Sequence, residues 1–290
     1  MDLPFVGSDA LDRGHVANKH QLRTRYRALF PDVYLTSAVP VPTLRQRTMA
    51  AWLWSGSSGV VAGLAAAALH GSKWVDDDEP IELVCRNART PAGLVARRDT
   101  LAPGEVTRLG RMHVTTPERT AFDLARLRAE ADAVARLDAL CNATGLTVAG
   151  VRNLARNHRG VRGIRRVGPV LDLVDPGAQS PRETWLRLLL LRAGFPSPRT
   201  QLPVFHGGGR RPRYYLDLAW EEVMVAAEYD GDQHRADRER YGADIKRLEA
   251  LTAMGWTMIR VVSGDRPADI VDRVRAAWAA RSTTGAPSVR

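Results

Sequence analysis

Tyr214-Tyr-Leu-Asp-Leu-Ala-Trp-Glu-Glu-Val-Met-Val-Ala-Ala-Glu-Tyr-Asp-Gly-Asp-Gln-His234 is the stretch on which the fold turns. It reads as two β-strands joined by a tight turn and followed by a Gly-Asp-Gln-His loop. With Glu221-Glu222 as a two-residue turn, Trp220 pairs with Val223 and Asp217 with Ala226. Side chains alternate along each strand. One face then carries Leu216, Leu218, Val223, Val225, Ala227 and Tyr229, all apolar or aromatic. The other carries Tyr215, Asp217, Ala219, Met224, Ala226, Glu228 and Asp230, and so every acid of the strands. Diagonal neighbours on such a face lie roughly 7–8 Å apart, within reach of long side chains.

Acids gathered in this way repel. Two carboxylates about 4 Å apart cost about 4 kcal/mol at an effective dielectric near 20. A half-buried cluster therefore needs a compensating cation, and oxygen donors in this number suit Mg²⁺ or Mn²⁺. The plainer reading is the solvated outer face of an amphipathic hairpin, and the pattern alone admits both.

Working outward, the 290 residues suffice for two domains, and 44% hydrophobic content suffices for real cores. Basic residues number 42 against 32 acidic, a formal net charge of +10. Of the 42 only Lys19, Lys73 and Lys246 are lysines. An excess of this size favours a polyanionic partner, nucleic acid first. Cys85 and Cys141 have no CxxC or His companion, which argues against a disulfide framework or structural zinc and favours a reducing cytoplasm. The N-terminus lacks the features of a signal peptide. The apolar run 59–69 is too short to span a bilayer.

Residues 11–35 are basic, with a helix expected up to Arg27 and a short strand at Val33-Tyr34-Leu35. A helical pair followed by a strand is compatible with a winged helix-turn-helix. Residues 43–54 and 60–70 read as two helices split by Ser55-Gly-Ser-Ser-Gly59. His70 falls at the second helix end, as a cap. Strands are expected at Ile81–Val84 and His113-Val114. Thr116-Pro117-Glu118 opens a helix as N-cap, N1 proline and first-turn acid, with Phe122, Leu124, Ala125 and Leu127 as its apolar stripe. Another helix follows near 131–142.

Residues 151–166 hold six arginines and no acid: Arg152, Arg156 and Arg159 on one helix face, then Arg162, Arg165 and Arg166 after a glycine turn. Clustered guanidinium groups of this kind suit phosphate contacts. They also suit an ordinary face paired with acids elsewhere. Asp172 to Gly177 is a Pro/Gly boundary.

Beyond it, Ser180-Pro-Arg-Glu183 is a capping box with proline at N1. Glu183 therefore has a structural task, beside a candidate role as accessory acid. A strand at 201–205 and the loop Gly207-Gly-Gly-Arg-Arg211 precede the hairpin, and Arg210 and Arg211 join the candidate nucleic-acid contacts. A helix over about 237–254, a strand over Trp256–Val262 and a helix over 267–281 complete the order helix, three strands, helix, strand, helix. No second His or Cys has zinc-ligand spacing near the acids. No EF-hand calcium loop, Walker loop or GxGxxG is present.

The run Glu228-Tyr-Asp-Gly-Asp-Gln-His234, with Asp244, Arg247 and the Gly255-Trp256 strand entry, resembles a Vsr-like endonuclease domain of the PD-(D/E)xK superfamily over about residues 178–283. Asp32-Val-Tyr-Leu-Thr36, Ala67-Ala-Leu-His-Gly71 and Val114–Arg126 resemble the AbiEi-type antitoxin and regulator proteins. The resemblances imply an α/β (α+β) chain. Residues 1–75 would be a helical, degenerate winged-helix-like region, and 76–176 an AbiEi-like α/β and helical region with the basic patch. Residues 177–283 would be a restriction-endonuclease-like domain with a mixed four-stranded sheet flanked by helices, and 284–290 a flexible tail.

In that superfamily Mg²⁺ (or Mn²⁺) serves phosphodiester cleavage. By resemblance Asp217 and Glu228 hold the metal, and Asp230, a third candidate ligand, stands where a lysine is usual. His234 is the candidate general base, its ordinary pKa being near operating pH, or else a loop cap. Gln233 would orient water or phosphate. Lys246 or Arg247 would restore the missing positive charge. Two functions compete: a metal-dependent DNA endonuclease in repair or in phage and mobile-element defence, and a non-catalytic antitoxin-like DNA-binding regulator using a nuclease fold as a binding or dimer module. DNA is the partner in both, a homodimer is compatible with either, and the expected location is the cytoplasm, at the nucleoid.

Overall fold

The computed structural model describes residues 3–86, 89–205, 211–230 and 238–283, with backbone alone at 238–241 and 283. The chain divides into two units, Met1–Val174 and Asp175–Arg290. Among the described residues no helix is long and apolar enough to cross a membrane.

The first unit begins with β1 (Phe5–Val6), α1 (Gly7–Asp12), α2 (Lys19–Arg25), β2 (Tyr26–Phe30) and β3 (Val33–Thr36). Asn18 starts α2 by accepting the Gln21 amide at 2.9 Å. The helix expected to run to Arg27 stops at Arg25, because Tyr26 turns extended and enters a three-stranded antiparallel sheet of order β1-β3-β2. Then come α3 (Leu44–Trp54), β4 (Val60–Ala62), α4 (Gly63–Leu69), β5 (Ile81–Val84), β6 (Leu94–Arg97), β7 (Val106–Leu109) and β8 (Met112–Thr115). The helix expected from residue 60 begins only at Gly63. Val60 and Val61, β-branched and buried or half-buried, instead pair with β5 on one side and β8 on the other. Gly63, at φ +59°, makes the strand-to-helix turn where an added Cβ would strike the Glu82 carboxylate. The second sheet has order β6-β5-β4-β8-β7, so residues before position 75 contribute to both sheets.

Helices α5 (Pro117–Leu127), α6 (Glu130–Thr144), α7 (Val148–Arg156) and α8 (Ile164–Asp172) complete the unit. Thr116 caps α5 through the Arg119 amide, as its sequence predicts. Phe122, Leu124 and Ala125 are buried, but Leu127 is 38% exposed. Arg119, Asp123 and Arg126, which look like the solvent side, are all buried. They form a charge network. Arg119 pairs with Glu105 and with Asp123 at 3.1 Å. Arg126 pairs with Asp123 and Asp99, each at 2.8 Å. Arg97 reaches Glu82 and Asp123, each at 3.1 Å. The α7–α8 connection plugs in through His158, bonded to Glu105, and through the Arg162 carbonyl, which accepts from Arg126 at 3.2 Å. Burial pushes Glu105 up, but the His158, Ala102 and Arg119 bonds outweigh it and hold the carboxyl below its ordinary range.

The second unit runs α9 (Pro181–Arg192), β9 (Arg199–Val204), β10 (Tyr214–Trp220), β11 (Val225–Asp230), α10 (Arg238–Ala253), β12 (Thr257–Val262) and α11 (Pro267–Thr283). This is the element order expected from the sequence. The sheet is four-stranded and mixed, β12-β11-β10-β9, with only β11–β12 parallel. Leu186, Leu190, Ile270 and Val274 from α9 and α11 pack with Leu218, Trp220, Val225 and Ala227 on one face. Leu251 of α10 packs with Leu202, Val204, Leu216, Ala219 and Ala226 on the other. Trp220, Phe195 and Trp278 close the first core at one end, and the Trp220 indole donates to the Pro196 carbonyl at 2.8 Å. Ile245 of α10, which recurs at helical spacing with Leu248 and Thr252, is 41% exposed.

The β10–β11 connection is longer than Glu221-Glu222. Trp220 pairs with Val225, not Val223, and a 3₁₀ turn over Glu221–Val223 plus Met224 at φ +53° fills the gap. The register moves by two residues, which keeps Leu218, Val225 and Ala227 on one face; Leu216, expected with them, packs in the opposite core.

Candidate functional site

Continuing the observed register by one pair sets Asp217 across from Glu228, rather than diagonal to it. A third acid comes from another layer. Ser180 caps α9 by accepting the Glu183 amide at 3.2 Å, and its hydroxyl donates to Glu183 Oε1 at 2.9 Å. Glu183 Oε2 takes the Gln179 amide at 2.9 Å, one residue earlier than the expected Ser180 amide. The cap therefore fixes the Glu183 carboxylate at the helix start, facing the sheet.

Gln201 joins these acids. Its side-chain amide donates to Asp217 Oδ1 at 3.1 Å and to Glu183 Oε2 at 3.3 Å. The Leu202–Leu216 and Thr200–Leu218 pairs bracket Gln201 and Asp217 on neighbouring strands. Gln201 has φ +48°, a left-handed conformation costly for a residue with a side chain and of order 1–3 kcal/mol. Alternation breaks at the same level, since Leu216 and Leu218 belong to different cores although two residues apart. Asp217 thus sits at an irregularity of the sheet, where acids of α9 and β11 both reach it. Burial, then the charges of Glu183 and Glu228, push its carboxyl up to about 7, against the opposing Gln201 bond and Arg247 charge.

The cation the acids need comes partly from within the chain. Arg247 of α10 donates to Glu228 Oε2 at 2.7 Å, also to Oε1, and to the Tyr215 carbonyl at 2.8 Å. The Glu228 bond, opposed by burial, leads the effects that hold the Arg247 guanidinium above its usual pKa. Lys246, one residue earlier on the helix, is exposed. Of the two basic candidates the structure brings Arg247 to the acids. Asp230 is paired with Arg260 at 2.6 Å, and Arg260 also holds Asp244 at 2.6 Å. The strand partner β12 therefore supplies the positive charge beside Asp230.

Glu183, Asp217 and Glu228 offer hard oxygen donors, the chemistry that Mg²⁺ or Mn²⁺ takes. Among the described residues, however, no group of three metal-ligating side chains stands ready to hold an ion. The shared Gln201 amide and the two-pronged Arg247 contact occupy the oxygens that would converge. The donor types fit a metal once those contacts yield. Gln233, His234 and Arg210 lie outside the described residues.

The arginines of residues 151–166 divide. Helix α7 ends at Arg156 with Asn157 as its C-cap, so Arg159 leaves the helix face expected to carry it with Arg152 and Arg156. Arg152 is ion-paired with Asp172. Arg156, Arg159, Arg162, Arg165 and Arg166 are exposed, although Arg166 also donates to the Arg128 carbonyl. Arg211 is exposed. Gln201 escaped the sequence reading; its signal would have been its place opposite Asp217, which only the register supplies.

Similarity to whole proteins extends beyond the first unit, whereas the match to a family lies within it. Two uncharacterized proteins of Mycobacterium tuberculosis, from strains CDC 1551 / Oshkosh and ATCC 25618 / H37Rv, are each 28% identical over 236 residues, covering 80% of this chain and 84% of theirs. No solved structure matches the chain. Residues 60–173 match the family model of the AbiEi antitoxin C-terminal domain, which starts earlier than residue 76 and excludes the Asp32–Thr36 stretch read as part of that likeness.

Proposed function

We propose that the protein is a metal-dependent DNA endonuclease whose second unit is a Vsr-like, restriction-endonuclease-like domain. The observation that carries this reading is Asp217, a shielded carboxyl held near neutrality between two further carboxylates at a strained point of the sheet. Strain and perturbed carboxyls concentrate where a fold gives up stability for chemistry. Glu183, Asp217 and Glu228 would hold Mg²⁺ or Mn²⁺. Such an ion, when bound, polarises a phosphate and acidifies a water. Gln201 orients the Glu183 and Asp217 oxygens. Arg247 supplies the positive charge that the absent lysine would have given. The exposed arginines between 156 and 166 give the first unit a phosphate-binding face.

A second reading has its own support. Arg247 already neutralises Glu228, and the match over 60–173 is to an antitoxin domain. On this reading the chain is a DNA-binding regulator whose second unit binds without cutting. Supercoiled plasmid with Mg²⁺ or Mn²⁺ separates the two. The wild type is expected to nick it, and Asp217→Ala and Glu228→Ala each to reduce nicking about a hundredfold or more, the scale on which one electrostatic group in a site is felt. DNA binding without nicking under either metal selects the regulator.

A further inference from the structure

Near the sheet irregularity at Asp217, two large rings are exposed. On the β9–β10 hairpin, Leu202, Val204 and Leu216 point into the core and are 2%, 7% and 0% exposed. Their neighbours point the other way. Phe205 is 52% exposed and Tyr215 is 51% exposed. The register places Tyr215 opposite Pro203 and Tyr214 opposite Val204, and Phe205 follows directly on the end of β9. Tyr215 stands two residues before Asp217, and its carbonyl is held by Arg247. Arg211 and Arg213 of the same segment are exposed, and the Arg213 guanidinium lies 5.7 Å from the centre of the Tyr214 ring, which packs on the core side. Large rings seldom stay this exposed without a partner.

We infer that this face of the β9–β10 hairpin is a stacking platform for unpaired bases, and that the nucleic acid presented to Asp217 is single-stranded or locally opened DNA. Aromatic rings on a sheet surface next to arginines match what a single strand offers: flat bases for the rings and phosphates for the cations. A closed duplex offers no base faces. The Tyr215 carbonyl accepts from the same Arg247 that holds Glu228, so the platform and the acids share one strand and one arginine. The inference rests on reading this unit as one that acts on nucleic acid, but it does not require the unit to cut.

Anisotropy with the full chain in EDTA tests it, using a fluorescent 20-nucleotide single strand and the matching duplex. Phe205→Ala and Tyr215→Ala are each expected to weaken single-strand binding about tenfold, with duplex binding within about twofold of wild type. Tyr215→Phe keeps the ring and is expected to bind the single strand as wild type does. A 2-aminopurine base in the strand should be quenched by the wild type and by Tyr215→Phe, and not by Tyr215→Ala. Single-strand affinity unchanged in both alanine variants, or equal losses on strand and duplex, overturns the platform. A protein that binds and quenches as expected but never nicks plasmid retains the platform and loses the endonuclease reading, so the two failures are distinct.

Discussion

Asp217 makes a quantitative statement about pH. Its carboxyl titrates near 7 in the folded chain and near 3.8 when unfolded, so between those values the folded state binds the extra proton. Stability from this group is complete below about pH 4 and is lost as pH rises toward 7. Discounting for residual exposure, the loss is about 2 kcal/mol. Urea unfolding of the metal-free protein at pH 5 and pH 8 should show it, and Asp217→Asn should be the more stable protein at pH 8 while losing most of that slope. Gln201→Leu keeps a side chain at the same positive φ and removes the shared donor. We expect a cost of about 1–3 kcal/mol at pH 8, where Asp217 is charged and most needs the donor, and a smaller one at pH 5. Asp217 and Glu228 were legible because acids inside strand patterns stand out. Gln201 was not, because its partnership depends on which residue lies across the sheet. Nor was the choice between Lys246 and Arg247, since neighbours on a helix point about 100° apart and the phase comes from packing.

Among the elements, the hairpin faces from Leu218 onward were readable, and its turn and the side of Leu216 were not. A period of two survives a shift of two, so Glu221–Met224 could lengthen the connection without moving any acid to the other face. The break between Leu216 and Leu218 left no trace in the residue pattern. Helix α8 gives a test of local geometry. Gly163 starts it at φ +82°, and an added Cβ would lie 2.1 Å from the Arg126 carbonyl oxygen. Gly163→Ala is expected to destabilise the first unit by about 2–3 kcal/mol, seen as a lower melting temperature, because both the backbone angle and the contact oppose it. The same change in the open Gly168, with nothing near its Cβ position, should be mild or stabilising.

At the scale of the whole molecule, charge is used in two ways that composition cannot separate. The net +10 suggested a polyanion. Yet Arg97, Arg119 and Arg126 spend their charge on Glu82, Asp99, Glu105 and Asp123 inside the first unit. Nothing in Thr116–Arg126 marks those charges as inward, since buried ion pairs look in sequence like a solvated stripe. The exposed arginines are those left for the proposed DNA contact. Neutralising Arg162, Arg165 and Arg166 together should weaken duplex binding and flatten the plot of log affinity against log salt by about one unit for each phosphate the variant no longer neutralises. An unchanged slope would remove this face from the binding surface. The division at Val174–Asp175 follows the Pro/Gly stretch that the sequence marks, while the first unit is knit across position 75 because β4 pairs with β8.

The guanidinium of Arg247 spans both oxygens of Glu228. On the endonuclease reading, an ion arriving from solution would meet a seat already taken by a tethered rival, one whose local concentration does not fall on dilution. The apparent affinity is the intrinsic affinity multiplied by the fraction of molecules in which the rival has swung out. On the endonuclease reading, such a centre binds metal more weakly by that fraction, with the shape of the binding curve unchanged, and anything that draws the arginine elsewhere restores the affinity. A passing phosphate, being the stronger bidentate acceptor for a guanidinium, is well suited to do so.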